Sequence, residues 1–215
     1  MVDASLNALV LLANFILVPG LAYGSQLALG ALGVTMVYAV LNFSNFSHGE
    51  VMSFGAMSTI LSTWWFQSNG ISIAPLPTAI LALPLGIMGA VTLCLILDRL
   101  VFRFYRQQHA NSVTYLIVSI GVMFVIGGGI CFIIGPDDRN FNDGERFIIK
   151  ARTFKEMTGL NEGLAIKSSQ AITVITAFLV VAAVFWFLNR TRTGKSMRAY
   201  ADNENLVLLS GINPD

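Results

Sequence analysis

Charge is what this sequence has least of. Asp, Glu, Lys and Arg make up 12% of its 215 residues, about half of the roughly 25% typical of a soluble domain. No Lys or Arg stands before Arg99. With a net charge of +1 and no basic stripe, the chain has nothing to follow a nucleic-acid backbone. Cysteine is equally scarce. Cys94 and Cys131 each fall inside an apolar run, which excludes a disulfide framework and leaves two small hydrophobes. The two histidines have no neighbouring Cys or second His, so no metal-ligand spacing exists and no cofactor is expected. The opening Met1-Val-Asp-Ala-Ser lacks the cationic start of a secretory signal. No nucleophile–base pair or pair of carboxylates lies within the apolar runs, which argues against a membrane-embedded enzyme.

What remains is hydrophobic: 55% of residues are apolar and the mean hydropathy is +0.69. Five runs approach the ~17–25 residues needed to span a bilayer. They are Leu21–Leu41, Val51–Ser68, Ala74–Leu97, Val113–Ile134 and Ala171–Leu188. The expected fold class is therefore an all-α polytopic membrane protein with about five transmembrane helices. Residues 1–189 would form the bundle and 190–215 a cytoplasmic segment. The second run is the most polar, carrying Ser53, Ser58, Ser62 and Thr63. Gly20, Gly24, Ala28, Gly30 and Gly33 in the first run, and Gly121 with Gly127-Gly-Gly129 in the fourth, allow close helix packing. The Gly127 triplet is also a place for a kink. An earlier run, Leu6–Val18, is too short to cross by itself. It reads as an interfacial or re-entrant approach, broken or bent at Pro19-Gly20.

The cations set the orientation. Arg99, Arg103 and Arg106 follow the third run, and Arg190, Arg192, Lys195 and Arg198 follow the fifth. Short Arg-rich connections belong in the cytoplasm. The connection from Gly135 to Gln170 balances its charges and is assigned to the outside. It is long enough to hold structure of its own, with Phe141 and Phe147-Ile-Ile149 forming a short strand or lying on the membrane surface. It reads as a cap over the bundle or a docking surface.

Between the first two runs lies the most unusual stretch, Asn42-Phe-Ser-Asn-Phe-Ser-His-Gly-Glu50. Ionisable groups so close to the bilayer are a functional hypothesis by default. Two readings stand: the cluster lines or gates a path, or His48 and Glu50 bond to each other or to helix ends and only hold the bundle together. Gly49 is read as the turn residue. At the other end, Gly194-Lys195-Ser196 lacks the upstream glycine of a phosphate-binding loop. A basic turn is expected to lead into a short helix, Ser196–Ala201. A break at Asp202-Asn203 and a second helix, Glu204–Ser210, closed by Gly211, would follow.

Two separated motifs resemble one family. The run from Gly33 through Met36-Val-Tyr-Ala, Asn45-Phe-Ser-His-Gly-Glu50 and Gly55-Ala56 is similar to the signature of inner-membrane permease subunits of branched-chain amino-acid ABC importers. Arg190-Thr-Arg-Thr-Gly-Lys-Ser-Met-Arg-Ala-Tyr-Ala-Asp-Asn203 and Ser210-Gly-Ile-Asn-Pro-Asp215 resemble that family's cytoplasmic coupling loop. The acidic residue of that loop is displaced to Glu204. Urea importers of the same superfamily carry nearly the same signatures.

The resemblance implies a bacterial inner-membrane permease that does no covalent chemistry. Its partners would be a second permease, cytoplasmic ATP-binding subunits and a periplasmic substrate-binding protein. Asn42, Asn45, Ser47, His48, Gly49 and Glu50 would belong to the translocation path. Arg198, Asp202, Glu204, Leu208, Leu209 and Gly211 would dock the ATPase. It also implies further spans beyond Asp215, so the chain reads as truncated there. The rivals are a urea or amide importer and an ion-coupled secondary transporter built on broken helices, although no internal repeat is present to support the latter.

Overall fold

The computed structural model describes residues 2–41, 43–71, 78–108, 110–137, 139, 147–159 and 161–202. Side chains of residues 2–4, 40, 41 and 202 are outside that description. The chain divides into two compact units: residues 1–35 with 144–215, and residues 36–143. The helices are α1 Val2–Leu12, α2 Val18–Leu41, α3 His48–Ser68, α4 Thr78–Leu97, α5 Arg103–Gln107, α6 Ser112–Ile134, α7 Ala151–Thr158, α8 Ser168–Arg190 and α9 Arg192–Asp202. Strands β1 (Phe147–Ile149) and β2 (Ile166–Lys167) and two π turns accompany them.

Four described helical stretches are long and apolar enough to cross a membrane: Ser5–Ala39, Thr78–Gln107, Ser112–Ile134 and Ser168–Arg190. The chain is an all-α polytopic membrane protein. Helix α3 matches the second expected span in position but is too polar to count with the four. Most of its hydroxyls are satisfied within the helix. Ser53, Thr59, Ser62 and Thr63 donate to the carbonyls of Gly49, Gly55, Ser58 and Thr59 at 3.2, 2.9, 2.8 and 2.8 Å. Such back-bonding removes most of the cost of placing a hydroxyl in lipid or protein.

In the unit formed by residues 36–143, α3 packs along α4 on small residues. A Cβ added at Gly55 would lie 3.3 Å from Ala90 Cβ, and one at Gly89 3.2 Å from Ser58 Cβ. At Gly86 it would stand 3.0 Å from both the Gly55 carbonyl oxygen and Thr59 Cβ. Backbones this close gain dispersion contacts that bulkier side chains would forfeit. Met57, Ile60 and Thr63 of α3, Thr78 and Ala82 of α4, and Ser119, Val122 and Ile126 of α6 form the buried core here. Outward positions stay apolar and bare: Val125 is 75% and Phe132 92% exposed. Lipid tails are as apolar as these side chains, so such exposure costs nothing in a bilayer.

Three local expectations are corrected. Pro19-Gly20 does not break the helix. The backbone runs on through a π turn, Ala13–Leu17, closed by the Val18 N–H donating to the Ala13 carbonyl. A proline ring collides with the carbonyl four residues back, here Phe15, and the wider π turn just ahead of Pro19 makes room for it. Arg99, Arg103 and Arg106 do not sit in a loop either. A second π turn, Asp98–Phe102, joins α4 to α5. Both Asp98 carboxylate oxygens accept from Arg106 Nη2, at 3.0 and 3.2 Å, across that turn. The Gly127 triplet leaves α6 unbroken.

In the unit formed by residues 1–35 and 144–215, the connection expected to lie outside does carry structure. β1 and β2 pair antiparallel, Phe147 opposite Lys167 and Ile149 opposite Ile166, with an irregularity between. Two asparagines of the N-terminal helical run fix the following loop. Asn7 Oδ1 accepts the Glu162 N–H at 3.3 Å, and Asn14 Oδ1 accepts the Ala165 N–H at 3.1 Å. These bonds place the start of the chain on the same side as that connection. Phe141 lies outside the described residues.

Candidate functional site

The polar stretch becomes a wound turn followed by a helix start. Asn45 folds its side chain forward, and its Oδ1 accepts both the backbone N–H of Ser47, at 3.1 Å, and the Ser47 hydroxyl, at 2.6 Å. Asn does this readily because its short side chain mimics a backbone turn. The His48 N–H then donates to the Asn45 carbonyl at 3.3 Å, and Val51 N–H to the Ser47 carbonyl at 3.0 Å, which opens α3. Ser47 is 1% exposed. Its hydroxyl faces Asn45 instead of capping the helix.

Helix α6 receives this turn. The Phe46 N–H donates to Ser119 Oγ at 3.2 Å, and that hydroxyl donates in turn to the Leu116 carbonyl at 2.8 Å. Ser119 is fully buried, so the pair satisfies a hydroxyl that water cannot reach. Phe43 is buried and stacks on Tyr115 at 4.9 Å between ring centroids, with Phe102 tilted against it at 6.2 Å. Phe46 points its ring outward and is about half exposed. The turn is thus pinned on one side by a hydrogen bond and on the other by an aromatic stack.

His48 and Glu50 occupy the first turn of α3, both half buried. A carboxylate there is favoured by the positive end of the helix dipole. Glu50 extends over α6: its Oε2 and Cδ would lie 3.4 and 3.5 Å from a Cβ placed on Gly127. Among the described residues His48 and Glu50 form no hydrogen bond or ion pair with each other or with another side chain. Gly49 is an ordinary helical residue with open space where a Cβ would stand, and among the described residues the positive-φ glycines are Gly70, Gly135 and Gly159. The turn expected at Gly49 therefore falls earlier, at Phe46-Ser47. Asn45, Ser47, His48 and Glu50 are brought together; Asn42 lies outside the described residues.

A separate apolar cavity of about 330 Å³ is lined by Leu97, Val101, Tyr105, Val118, Gly121, Val122 and Val125. None of the expected path residues lines it.

At the C-terminal end, α9 begins at Arg192, four residues ahead of the expected Ser196, and absorbs the basic turn. Thr191 makes the elbow. Its hydroxyl donates to the Phe187 carbonyl at 2.7 Å and accepts the Gly194 N–H at 3.0 Å. A Cβ on Gly194 would be 2.6 Å from Leu188 Cα, so only glycine fits this fold-back without a backbone shift. Arg198 donates from Nη1 to Asn189 Oδ1 at 3.0 Å, tying α9 to the end of α8. Asp202 ends α9. Glu204, Leu208, Leu209 and Gly211 lie outside the described residues.

Residues 16–215 match the family model described as the permease component of branched-chain amino acid transport systems. The chain belongs to that permease family. Both motifs lie inside the match. Similar proteins include the high-affinity branched-chain amino acid transport system permease BraD of Pseudomonas aeruginosa, 27% identical over 205 residues. LivH, the permease of the same description from Salmonella typhimurium and from Escherichia coli K12, is 27% identical over 203 residues in each. These alignments cover 92% and 91% of this chain but only 62% and 61% of the relatives, so it spans about three fifths of their length. No solved structure shows significant similarity to the chain.

Sequence reasoning missed Ser119, Tyr115 and Gly127 as members of the site. Their only sequence signal was membership of a small-residue, apolar span.

Proposed function

We propose that this chain is the membrane-spanning permease subunit of an ATP-driven importer in a bacterial inner membrane, providing the path for branched-chain amino acids. The observation that carries the reading is the family match from residue 16 to residue 215, which includes the Asn45–Glu50 turn and the elbow at Thr191. Transport suits the geometry as well. Polar groups at the start of α3 stand beside an otherwise apolar bundle, where a path needs few but well-placed contacts. ATP hydrolysis belongs to separate cytoplasmic subunits, and substrate delivery to a binding protein outside. A second permease completes the path.

In this reading Asn45 and Ser47 hold the shape of the turn, while His48 and Glu50 present its ionisable groups. The elbow carries α9 and the residues beyond it to the ATPase, with Arg198 fixing the angle instead of touching the partner. The N-terminus and the connection containing β1 and β2 face outward, and α9 faces the cytoplasm.

The test is uptake of labelled leucine and of labelled urea by cells that carry the full-length permease with its companion subunits. ATP-dependent leucine uptake without urea uptake is expected. Urea uptake alone would replace the substrate assignment, and uptake driven by an ion gradient would remove the importer reading.

A further inference from the structure

Three features of the described structure are not accounted for by the family motifs alone: the apolar cavity beside Tyr105, the Asp98–Arg106 clip, and the contact between Glu50 and Gly127. Only the third joins an expected path residue to a residue with no assigned role. The Glu50 carboxylate lies against α6 at the one glycine of the Gly127 triplet where an added Cβ would touch a neighbour. Its three contacts there would be Oε2 at 3.4 Å, Cδ at 3.5 Å and Oε1 at 3.7 Å, all from Glu50. Added Cβ atoms at Gly128 and Gly129 would meet nothing within 4 Å. The helix is continuous and Gly127 has no positive φ, so backbone freedom does not account for a glycine here. The bare backbone does: it is the surface against which a carboxylate from another helix rests.

We infer that Gly127 is a positioning residue for Glu50, and that this glycine fixes where the negative charge of the path stands. The inference rests on the reading of Glu50 as a path residue. A fixed carboxylate, unpaired with any described cation, is suited to meet the ammonium end of a zwitterionic substrate. Its reach is set by the surface beneath it. An alanine at 127 fits at van der Waals distance and leaves the carboxylate in place. A valine adds a methyl layer that must lift the carboxylate off α6.

The experiment measures leucine uptake kinetics and the amount of assembled permease in the full-length complex. The variants are Gly127→Ala, Gly127→Val, Gly128→Val, Glu50→Asp and the double variant Gly127→Val/Glu50→Asp. Gly127→Ala should stay within about twofold of the parent, and Gly127→Val should raise KM roughly tenfold at unchanged assembly. Glu50→Asp shortens the side chain so that it no longer reaches the seat. The double variant should therefore be no worse than Glu50→Asp alone, the non-additivity expected of groups in contact.

The inference is overturned if Gly127→Val and Gly128→Val raise KM equally. It is likewise overturned if Gly127→Val lowers assembly with KM intact, or if its effect adds in full to that of Glu50→Asp. Absence of leucine uptake in the parent would instead overturn the proposed substrate. The same series, scored on urea uptake, would still decide the role of Gly127.

Discussion

At the scale of single residues, Ser119 and Asn45 govern the turn that begins α3. Each supplies an oxygen to backbone N–H groups that would otherwise be stranded at a helix start. Ser119→Ala leaves the part-buried Phe46 N–H without its partner. It should lower the stability of the purified permease by about 1–3 kcal/mol, read as a drop in thermal midpoint in detergent. Ser119→Thr keeps the oxygen and should lose less. His48 sits differently: its side chain is half buried and bonds to no described group. His48→Ala is expected to reduce substrate uptake while leaving the amount of assembled complex unchanged, checked by uptake and size-exclusion on the same preparation. Equal loss of both would make His48 a structural residue. The chemical character of these side chains was legible in the sequence, because polar residues at that density are out of place between apolar runs. Their partners were not. Phe46 and Ser119 are 73 residues apart, and no local pattern marks one buried serine of a span as the acceptor for a distant N–H.

At the scale of elements, hydropathy located the spans well because membrane crossing imposes one length and one solvent on every helix. The expected Leu21–Leu41 and Val113–Ile134 became α2, Val18–Leu41, and α6, Ser112–Ile134. The two π turns escaped notice since they leave hydropathy unchanged. One absorbs Pro19 and the other carries Asp98 toward Arg106. The α3–α4 seam shows why α3 tolerates its hydroxyls. Ser58 and Thr59 bury against Gly89 and Gly86 instead of facing lipid. Gly86→Val puts a branched side chain where a Cβ already stands 3.0 Å from the Gly55 carbonyl oxygen. Such overpacking costs about 1–3 kcal/mol, and it should cut the yield of folded permease in membranes. Gly20, where an added Cβ meets nothing within 4 Å, provides the comparison: Gly20→Val should be far milder. A full-strength defect at both positions would contradict close packing at the seam.

At the scale of the whole molecule, family membership rests on a match across most of the chain. The structure adds two separately held regions that transport would use. One is the pinned polar turn at Asn45–Glu50; the other is the glycine-dependent elbow between α8 and α9. The resemblance in the sequence pointed to both regions through their motifs. It could not show that Arg198 is spent on Asn189, because that bond exists only once the chain folds back at Gly194. The central claim is that a cytoplasmic ATPase drives this permease, and the most direct measurement is affinity purification of the tagged full-length protein from native membranes. A stoichiometric ATP-binding subunit should co-purify and be lost when Leu208 and Leu209 are changed to Asp. Recovery of the permease with no such subunit, together with uptake that follows an ion gradient, would contradict the claim.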